Sequence, residues 1–313
     1  MDAKTLFSLL FGLLATCCPA GAAHAQDDLL GSLPLPSEIR PGEGVTPALT
    51  VVGPTPVNVV LAVHRTAAQR ASDLRRRKPM ARLVRSRVQD DKNFTNRTRF
   101  LTHRIVDAGQ HPVERGVATT GAELLDALVR ASQKGPIRNL VIYGHAASSA
   151  LFMREDRGFY SSVMAVAEKS QIVSGTQDER DEQLRAAGAR DLSDFEWLLA
   201  RGDIRFTRTP VIVFAGCGVA GKREVDTAGI AARMADLLDA KVIASNDVTD
   251  QSMGRGRDFR NKEYSRRTWV RFRGGTTPER LNTRVIDALQ QLSFESDVVA
   301  AAPQDEAQRQ DAY

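Results

Sequence analysis

The sequence predicts a three-layer α/β/α domain, in which helices cover both faces of a mainly parallel sheet. Three short apolar runs, at 140–143, 210–214 and 241–245, have the length and the β-branched content of buried strands. Two stretches with apolar residues at helical spacing, 120–135 and 228–238, alternate with these runs. Strands that alternate with helices are typical of βαβ units, which build parallel sheets.

The first 25 residues have the pattern of a secretory signal peptide. Lys4 precedes a mostly apolar run over 6–15, and Ala23-His24-Ala25 has small residues at the positions that a signal peptidase inspects. The apolar run is too short to remain as a membrane-spanning helix. We therefore expect a periplasmic or secreted protein that is cleaved near Ala25 and is not an integral membrane protein.

Cleavage near Ala25 would leave Cys217 as the only cysteine of the mature chain, because Cys17 and Cys18 belong to the signal. Structural disulfides of exported proteins require pairs of cysteines. Cys217 is therefore either a small buried core residue or a reactive thiol. Lipoprotein processing at Cys17 or Cys18 is the alternative to soluble export.

Two segments of distinct composition follow the signal. Residues 26–56 are rich in Pro and Gly and have no helical or strand period, which predicts a linker. Residues 57–99 start with an apolar run and continue as a basic, helix-like stretch, which predicts a basic helical extension before the α/β domain. Residues 65–104 contain thirteen Lys or Arg and three Asp, a balance of +10 in a chain of net charge +5.

The basic charge of residues 65–104 suggests three interpretations. It is a solvated helical face, a segment removed by proteolysis, or a surface that contacts an anionic partner such as outer-membrane lipid. Aromatic residues that could stack on bases are nearly absent from this segment. We therefore expect no nucleic-acid partner.

The remaining elements of the predicted α/β domain, which covers 100–292, follow in order along the chain. Thr120 and Glu123 have capping-box spacing at the start of the first helix. The predicted elements are a strand at 100–106, a hairpin at 149–160, an exposed helical insertion at 168–190, a short helix at 195–200, a polar loop at 246–267, a strand at 268–272 and a helix at 281–292. Residues 293–313 are predicted to be a disordered tail.

Two of the predicted strands end in glycine-flanked turns that each present a reactive side chain. Strand 140–143 runs into Gly144-His145, and strand 210–214 runs into Ala215-Gly216-Cys217-Gly218. Parallel strands have their carboxyl ends at one edge of the sheet, where open α/β folds bind ligands. We therefore expect Cys217 to attack a carbonyl as the thiolate and His145 to transfer the proton to the leaving amine. The N–H groups of Ala146 and Cys217 are the candidate oxyanion donors.

These motifs resemble the caspase-like (clan CD) superfamily of cysteine peptidases, and in particular the caspase-like domain of large bacterial surface proteins. The resemblance rests on a strand ending in Tyr-Gly-His, a later strand ending in Ala-Gly-Cys-Gly, and then a helix, a strand and a loop with Asp and Thr. It covers roughly residues 100–275 and includes Trp269. It implies a caspase-like fold and a dyad of Cys217 and His145. The family usually has Gly directly after the His, where this chain has Ala146.

The resemblance also suggests where a substrate would bind. Asp247 and Asp250 follow the strand after Cys217, where caspase-like enzymes often build the pocket for the residue before the scissile bond. An acidic pocket would favour Arg or Lys, and ordinary loop aspartates are the alternative. The histidines lack the spacing of metal ligands, and we expect no metal or cofactor.

The predicted function is an exported cysteine endopeptidase that acts on a protein or peptide substrate. The alternative is a catalytically idle caspase-like domain that binds a protein or the cell surface, since a protein can keep its fold after it has lost catalytic activity.

Overall fold

A computed structural model describes residues 54–65, 81–152, 157–169, 174–222, 224–250 and 262–294, all within one compact unit. The predicted signal peptide, all but the last residues of the predicted linker, and the predicted tail from residue 295 lie outside the described residues. None of the described helices is long and apolar enough to cross a membrane.

The described elements alternate between strands and helices along most of the chain. The strands are β1 Val57–Val63, β2 Val113–Ala118, β3 Ile137–Ala147, β4 Ala150–Phe152, β5 Phe159–Tyr160, β6 Arg190–Asp191, β7 Phe206–Gly216, β8 Lys241–Ser245, β9 Thr249–Asp250, β10 Glu263–Ser265, β11 Trp269–Phe272, β12 Glu279–Leu281 and β13 Val285–Ile286. The helices are α1 Ala81–Asp107, α2 Gly121–Lys134, α3 Val163–Lys169, α4 Gln177–Ala186, α5 Leu192–Ala200, α6 Ile230–Leu238 and α7 Ala288–Gln291.

A large mixed sheet, mostly parallel at its centre, confirms the predicted α/β class. The strands β2, β1, β3, β7 and β8 are neighbours in that order and run parallel. Antiparallel β11 and β12 extend the sheet beyond β8, and β4, β5 and β6 continue it from the end of β3. Every residue of β1 is buried, as expected for a parallel sheet that is covered on both faces. A second, small sheet contains β9, β10 and β13.

Helices flank the sheet, and alternate residues of its central strands enter two hydrophobic clusters on opposite faces. On β3, Leu140 and Ile142 belong to one cluster, while Val141 and Tyr143 belong to the other. Helices α2 and α6 contribute to the first cluster. Helix α1 contributes Phe94 and other residues to the second. We call the face that carries Val141 and Tyr143 the α1 face.

The structure corrects the expected boundary between a basic extension and the α/β domain at residue 100. The apolar run at 57–63 is β1, which pairs with β2 on one side and β3 on the other. Residues 100–106 form the end of α1 and not a strand. The apolar residues Phe94, Leu101 and Ile105 recur at helical spacing and pack against the sheet. The predicted boundary therefore cuts through a helix, and the described α/β fold already includes β1.

The C-terminal part also differs from the prediction. The expected polar loop at 246–267 contains β9 and β10, and the expected helix at 281–292 is replaced by β13 and the short α7. Pairing of Leu281 with Trp269 explains the difference, because a long-range strand partner overrides local helical spacing. Ser293 was assigned to the tail, yet its N–H donates to Asn139 and its carbonyl accepts from Asn139. By contrast, β8 and the β4–β5 hairpin confirm the prediction.

Candidate active site

His145 lies near the end of β3, and Cys217 directly follows the neighbouring strand β7, at the same edge of the sheet. β3 and β7 are parallel, and their register pairs Gly144 with Gly216. His145 is the next residue of β3, and Cys217 is the first residue after β7. Tyr143, two residues before His145 on β3, belongs to the cluster on the α1 face, so the two-residue period of the strand directs His145 towards that face. Neighbouring strands lie about 5 Å apart, so the backbones of His145 and Cys217 lie near each other at this edge of the sheet.

Close packing requires glycine at both positions before the reactive residues. A Cβ on Gly144 would overlap the side chain of Val63 and lie 2.8 Å from its carbonyl oxygen. A Cβ on Gly216 would lie 2.8 Å from Ala146 Cβ and 2.9 Å from the Gly144 carbonyl oxygen. The strands can therefore approach each other closely at this edge only without side chains at these two positions.

The imidazole of His145 packs against an aromatic ring from α1. The rings of Phe94 and His145 have centroids 5.1 Å apart and an interplanar angle of 84°, an edge-to-face contact. Phe94 is buried, whereas His145 is half-buried. Such a contact contributes about 0.5–1.5 kcal/mol and restricts the orientation of the ring. Helix α1, which the sequence assigned to an extension, thus forms one wall of the site.

The sulfur of Cys217 contacts Thr249, the first residue of β9. The N–H of Thr249 donates to Cys217 Sγ at 3.4 Å, and Thr249 Oγ1 lies 3.5 Å from the same sulfur. The chain turns sharply after the half-buried Cys217, because Gly218 has a φ of +64°. The N–H of Gly218 donates to the carbonyl of Asp247 at 2.9 Å. These bonds tie the Cys217 turn to the segment between β8 and β9.

Three buried polar residues connect α1, β3 and the small sheet behind this edge. Tyr143 donates its hydroxyl to Glu263 Oε1 at 3.1 Å, and Arg97 Nη1 lies 3.5 Å from the same oxygen. Burial raises the pKa of the Glu263 carboxyl, and the Arg97 charge opposes that rise. Burial, followed by the Glu263 charge, raises the pKa of Tyr143 well above its ordinary value. We call these residues the Arg97–Glu263–Tyr143 cluster.

The two aspartates predicted to bind substrate have different surroundings. Asp247 Oδ2 lies 3.4 Å from Arg267 Nε, and its Oδ1 accepts the N–H of Val248 at 2.7 Å. The backbone of Asp250 pairs with Tyr264 across β9 and β10. The charge of Asp247 is therefore partly compensated by Arg267, which is a different situation from an isolated acidic pocket.

The backbone donors predicted for an oxyanion lie beside the two side chains. Ala146 is opposite Leu151 in the β3–β4 ladder, and Cys217 is the first residue after β7. The methyl group of Ala146 belongs to the cluster on the face opposite α1. The Ala146 methyl is therefore directed away from the face of His145.

A second histidine, which the sequence reasoning did not place in the site, lies at the same edge. His64 follows β1, whose last residue pairs with Gly144, and it is buried. Its Nδ1 donates to the Arg65 carbonyl at 2.8 Å, and its Nε2 lies 3.0 Å from Thr95 Oγ1 on α1. His64 thus connects the end of β1 to the helix that carries Phe94. Its position directly after an apolar strand, like that of His145, was the available signal.

Part of the basic segment 65–104 has partners within the fold. Arg97 belongs to the buried cluster, and Arg104 makes two bonds to the carboxylate of Asp287, at 2.9 and 2.7 Å.

Among the described residues, no group of three or more His, Cys, Asp or Glu lies together as metal ligands would. The chain matches none of the protein-family models, curated proteins or solved structures with which it was compared.

Proposed function

We propose that this protein is an exported cysteine endopeptidase of caspase-like type, with Cys217 as the nucleophile and His145 as the general acid and base. The observation that carries the proposal is the register of β3 and β7, which pairs Gly144 with Gly216 directly before the two reactive residues. Adjacent ends of parallel strands are where open α/β folds bind their ligands. A thiol and an imidazole in adjacent positions are the minimal set for attack on a peptide carbonyl.

In the proposed reaction, the Cys217 thiolate attacks the carbonyl carbon of the scissile peptide bond. The oxyanion that forms accepts hydrogen bonds from the N–H groups of Ala146 and Cys217. Protonated His145 gives its proton to the leaving amine as the C–N bond breaks, which leaves a thioester on Cys217. His145 then takes a proton from water, the hydroxide attacks the thioester, and the sulfur departs with the carboxylic acid product released.

The packing of the sheet supports the caspase-like assignment beyond the dyad. The clusters on both faces, with α2 and α6 on one side and α1 on the other, support a three-layer α/β/α arrangement. The direction of the Ala146 methyl supports a working site, because it leaves the α1 face unobstructed at the family's glycine position. The Asp247–Arg267 pair gives no support to a preference for basic substrate residues.

The test compares native protein with three variants in two assays. Incubation with a mixed peptide library, read by mass spectrometry, should show cleavage by native protein and none by Cys217→Ala. Labelling of Cys217 by iodoacetamide should slow by about tenfold or more in His145→Ala, because the imidazole no longer assists loss of the thiol proton. His103→Ala is the matched control, since His103 is exposed on α1.

The opposite outcome would favour a catalytically idle domain. Native protein that cleaves no peptide, and that labels at the same slow rate as His145→Ala, would contradict the peptidase proposal. Protein or cell-surface binding would then be the function to pursue.

A further inference from the structure

We propose that Thr249 is a positioning residue that holds the Cys217 sulfur towards the α1 face and stabilises its anionic form. This inference rests on the proposed function, because it assigns the residue that prepares the nucleophile. The sequence reasoning named the aspartates on both sides of Thr249 and not Thr249 itself.

Thr249 offers the Cys217 sulfur two hydrogen-bond donors at 3.4 and 3.5 Å, and one acceptor, its carbonyl oxygen, at the longer distance of 4.0 Å. The Thr249 N–H donates to the sulfur at 3.4 Å in both forms. Thr249 Oγ1, at 3.5 Å, can accept from or donate to a thiol, but it can only donate to a thiolate, which has no proton to give. Loss of the proton ends the long contact from the sulfur to the Thr249 carbonyl oxygen and leaves the thiolate with two donors, the N–H and the hydroxyl of Thr249. Hydrogen bonds to an ionised partner are roughly twice as strong as neutral ones.

Thr249 is held in place by the small sheet, so its donors do not have to be reoriented when the charge forms. Thr249 pairs with Ser265 in the β9–β10 register, and the Ser265 hydroxyl is bonded to the Ser245 hydroxyl at 2.8 Å. Two residues before Ser265, Glu263 belongs to the buried Arg97–Glu263–Tyr143 cluster. Donors that are fixed before the reaction stabilise a developing charge better than mobile ones.

The same contact selects one direction for the sulfur. A cysteine side chain has three staggered χ1 rotamers. The contact with Thr249 requires the rotamer that directs the sulfur towards the small sheet. That sheet contacts Tyr143 through Glu263 and therefore covers the α1 face, the face of His145. Thr249 thus holds the nucleophile on the side of the sheet where its proposed proton acceptor lies.

The test measures the alkylation of Cys217 as a function of pH in the full chain. Iodoacetamide is the probe, and mass spectrometry of the Cys217 peptide separates its rate from those of Cys17 and Cys18. Thr249→Val keeps the shape and the N–H but removes the hydroxyl, whereas Thr249→Ser keeps the hydroxyl. Thr268→Val is the matched control, because the Thr268 hydroxyl bonds to the Trp269 carbonyl. Circular dichroism checks that each variant is folded.

In Thr249→Val, the rate at neutral pH should fall by about 3-fold to 10-fold, which is the difference expected between a charge-assisted and a neutral hydrogen bond. The pH of half-maximal rate should rise while the plateau rate at high pH is retained. Thr249→Ser and Thr268→Val should match native protein. A native pH profile for Thr249→Val, or equal slowing in Thr249→Ser, would overturn the inference.

A second measurement keeps the inference falsifiable if Thr249→Val does not fold. In native protein labelled with ¹⁵N, the Thr249 amide signal should shift with the same pH midpoint as the alkylation rate. An amide signal that is constant through that midpoint would overturn the inference. Because alkylation requires no peptide cleavage, a protein without peptidase activity can still pass or fail this test.

Discussion

Replacement of Arg97 by Met should destabilise the fold strongly, because it removes one partner of a buried ion pair. Arg97 Nη1 lies 3.5 Å from Glu263 Oε1, and the two side chains are only 1% and 3% exposed. The same nitrogen donates to the Lys262 carbonyl at 3.1 Å. Without Arg97, the Glu263 carboxylate would remain buried with the Tyr143 hydroxyl but with no opposite charge in the cluster.

The expected cost follows from that burial. Removal of one partner of a buried pair costs about 3–5 kcal/mol of unfolding free energy. Glu263 can avoid part of this cost by taking up a proton, because burial already raises its pKa. The loss of unfolding free energy in Arg97→Met should therefore be near the upper end of this range of about 3–5 kcal/mol at about pH 8. It should be smaller at about pH 5, where the Glu263 carboxyl is more readily protonated. Arg97→Met/Glu263→Gln should be more stable than Arg97→Met at the higher pH.

Urea denaturation followed by circular dichroism measures these differences. Arg104→Met is the matched control on the same helix, since Arg104 and Asp287 form a partly exposed pair. We expect a loss of about 1 kcal/mol for that control. If Arg97→Met lost no more stability than Arg104→Met, or if its loss were equal at both pH values, the Arg97–Glu263 charge pair would not be what holds this region together.

Two further predictions concern the same edge of the sheet. The folded state keeps a proton on Glu263 that the unfolded chain releases, so stability should fall as the pH rises from 4.5, the ordinary value for Glu, through the raised pKa. Glu263→Gln should flatten this slope in thermal unfolding curves, and an unchanged slope would contradict the assignment. Gly216→Ala should lose about 1–3 kcal/mol in urea, because its Cβ would lie 2.8 Å from Ala146 Cβ and 2.9 Å from the Gly144 carbonyl oxygen. Adding Ala146→Gly should recover only part of that loss, and full stability of Gly216→Ala would show that the strands are less closely packed than described.

The prediction of the α/β class and of the positions of His145 and Cys217 depended on local patterns. Each apolar run that leads into a glycine can be recognised from its own stretch of sequence. Parallel pairing then implies that the carboxyl ends of the two strands lie at the same edge of the sheet. The same local reasoning failed for residues 100–106, which contain strand-like residues but continue α1. It also failed for residues 281–286, where pairing of Leu281 with β11 and of Val285 and Ile286 with β10 outweighed helical spacing. In both places a distant partner decided the conformation.

The surroundings of His145 and Cys217 could not be predicted for the same reason. Phe94 reaches His145 from 51 positions away along the chain, and Glu263 meets Tyr143 across 120 positions. The basic segment also had a role that its composition concealed, since Arg97 is buried beside Glu263. A count of charged residues places such an arginine on the surface, since charged side chains are rarely buried unless they are paired. Its pairing partner belongs to another element and cannot be identified from the count.

The sequence by itself determined which runs are apolar and that a histidine and a cysteine come shortly after two of them, whereas the continuation of β3 to Ala147 was not predicted. The period of two along a strand then predicts which side chains share a face. Only the tertiary structure decided that Thr249 contacts the sulfur, that Phe94 packs on the imidazole, and that His64 stands at the same edge. Those contacts arise when the small sheet and α1 pack on one face, and packing between distant elements leaves no periodic signal in the chain.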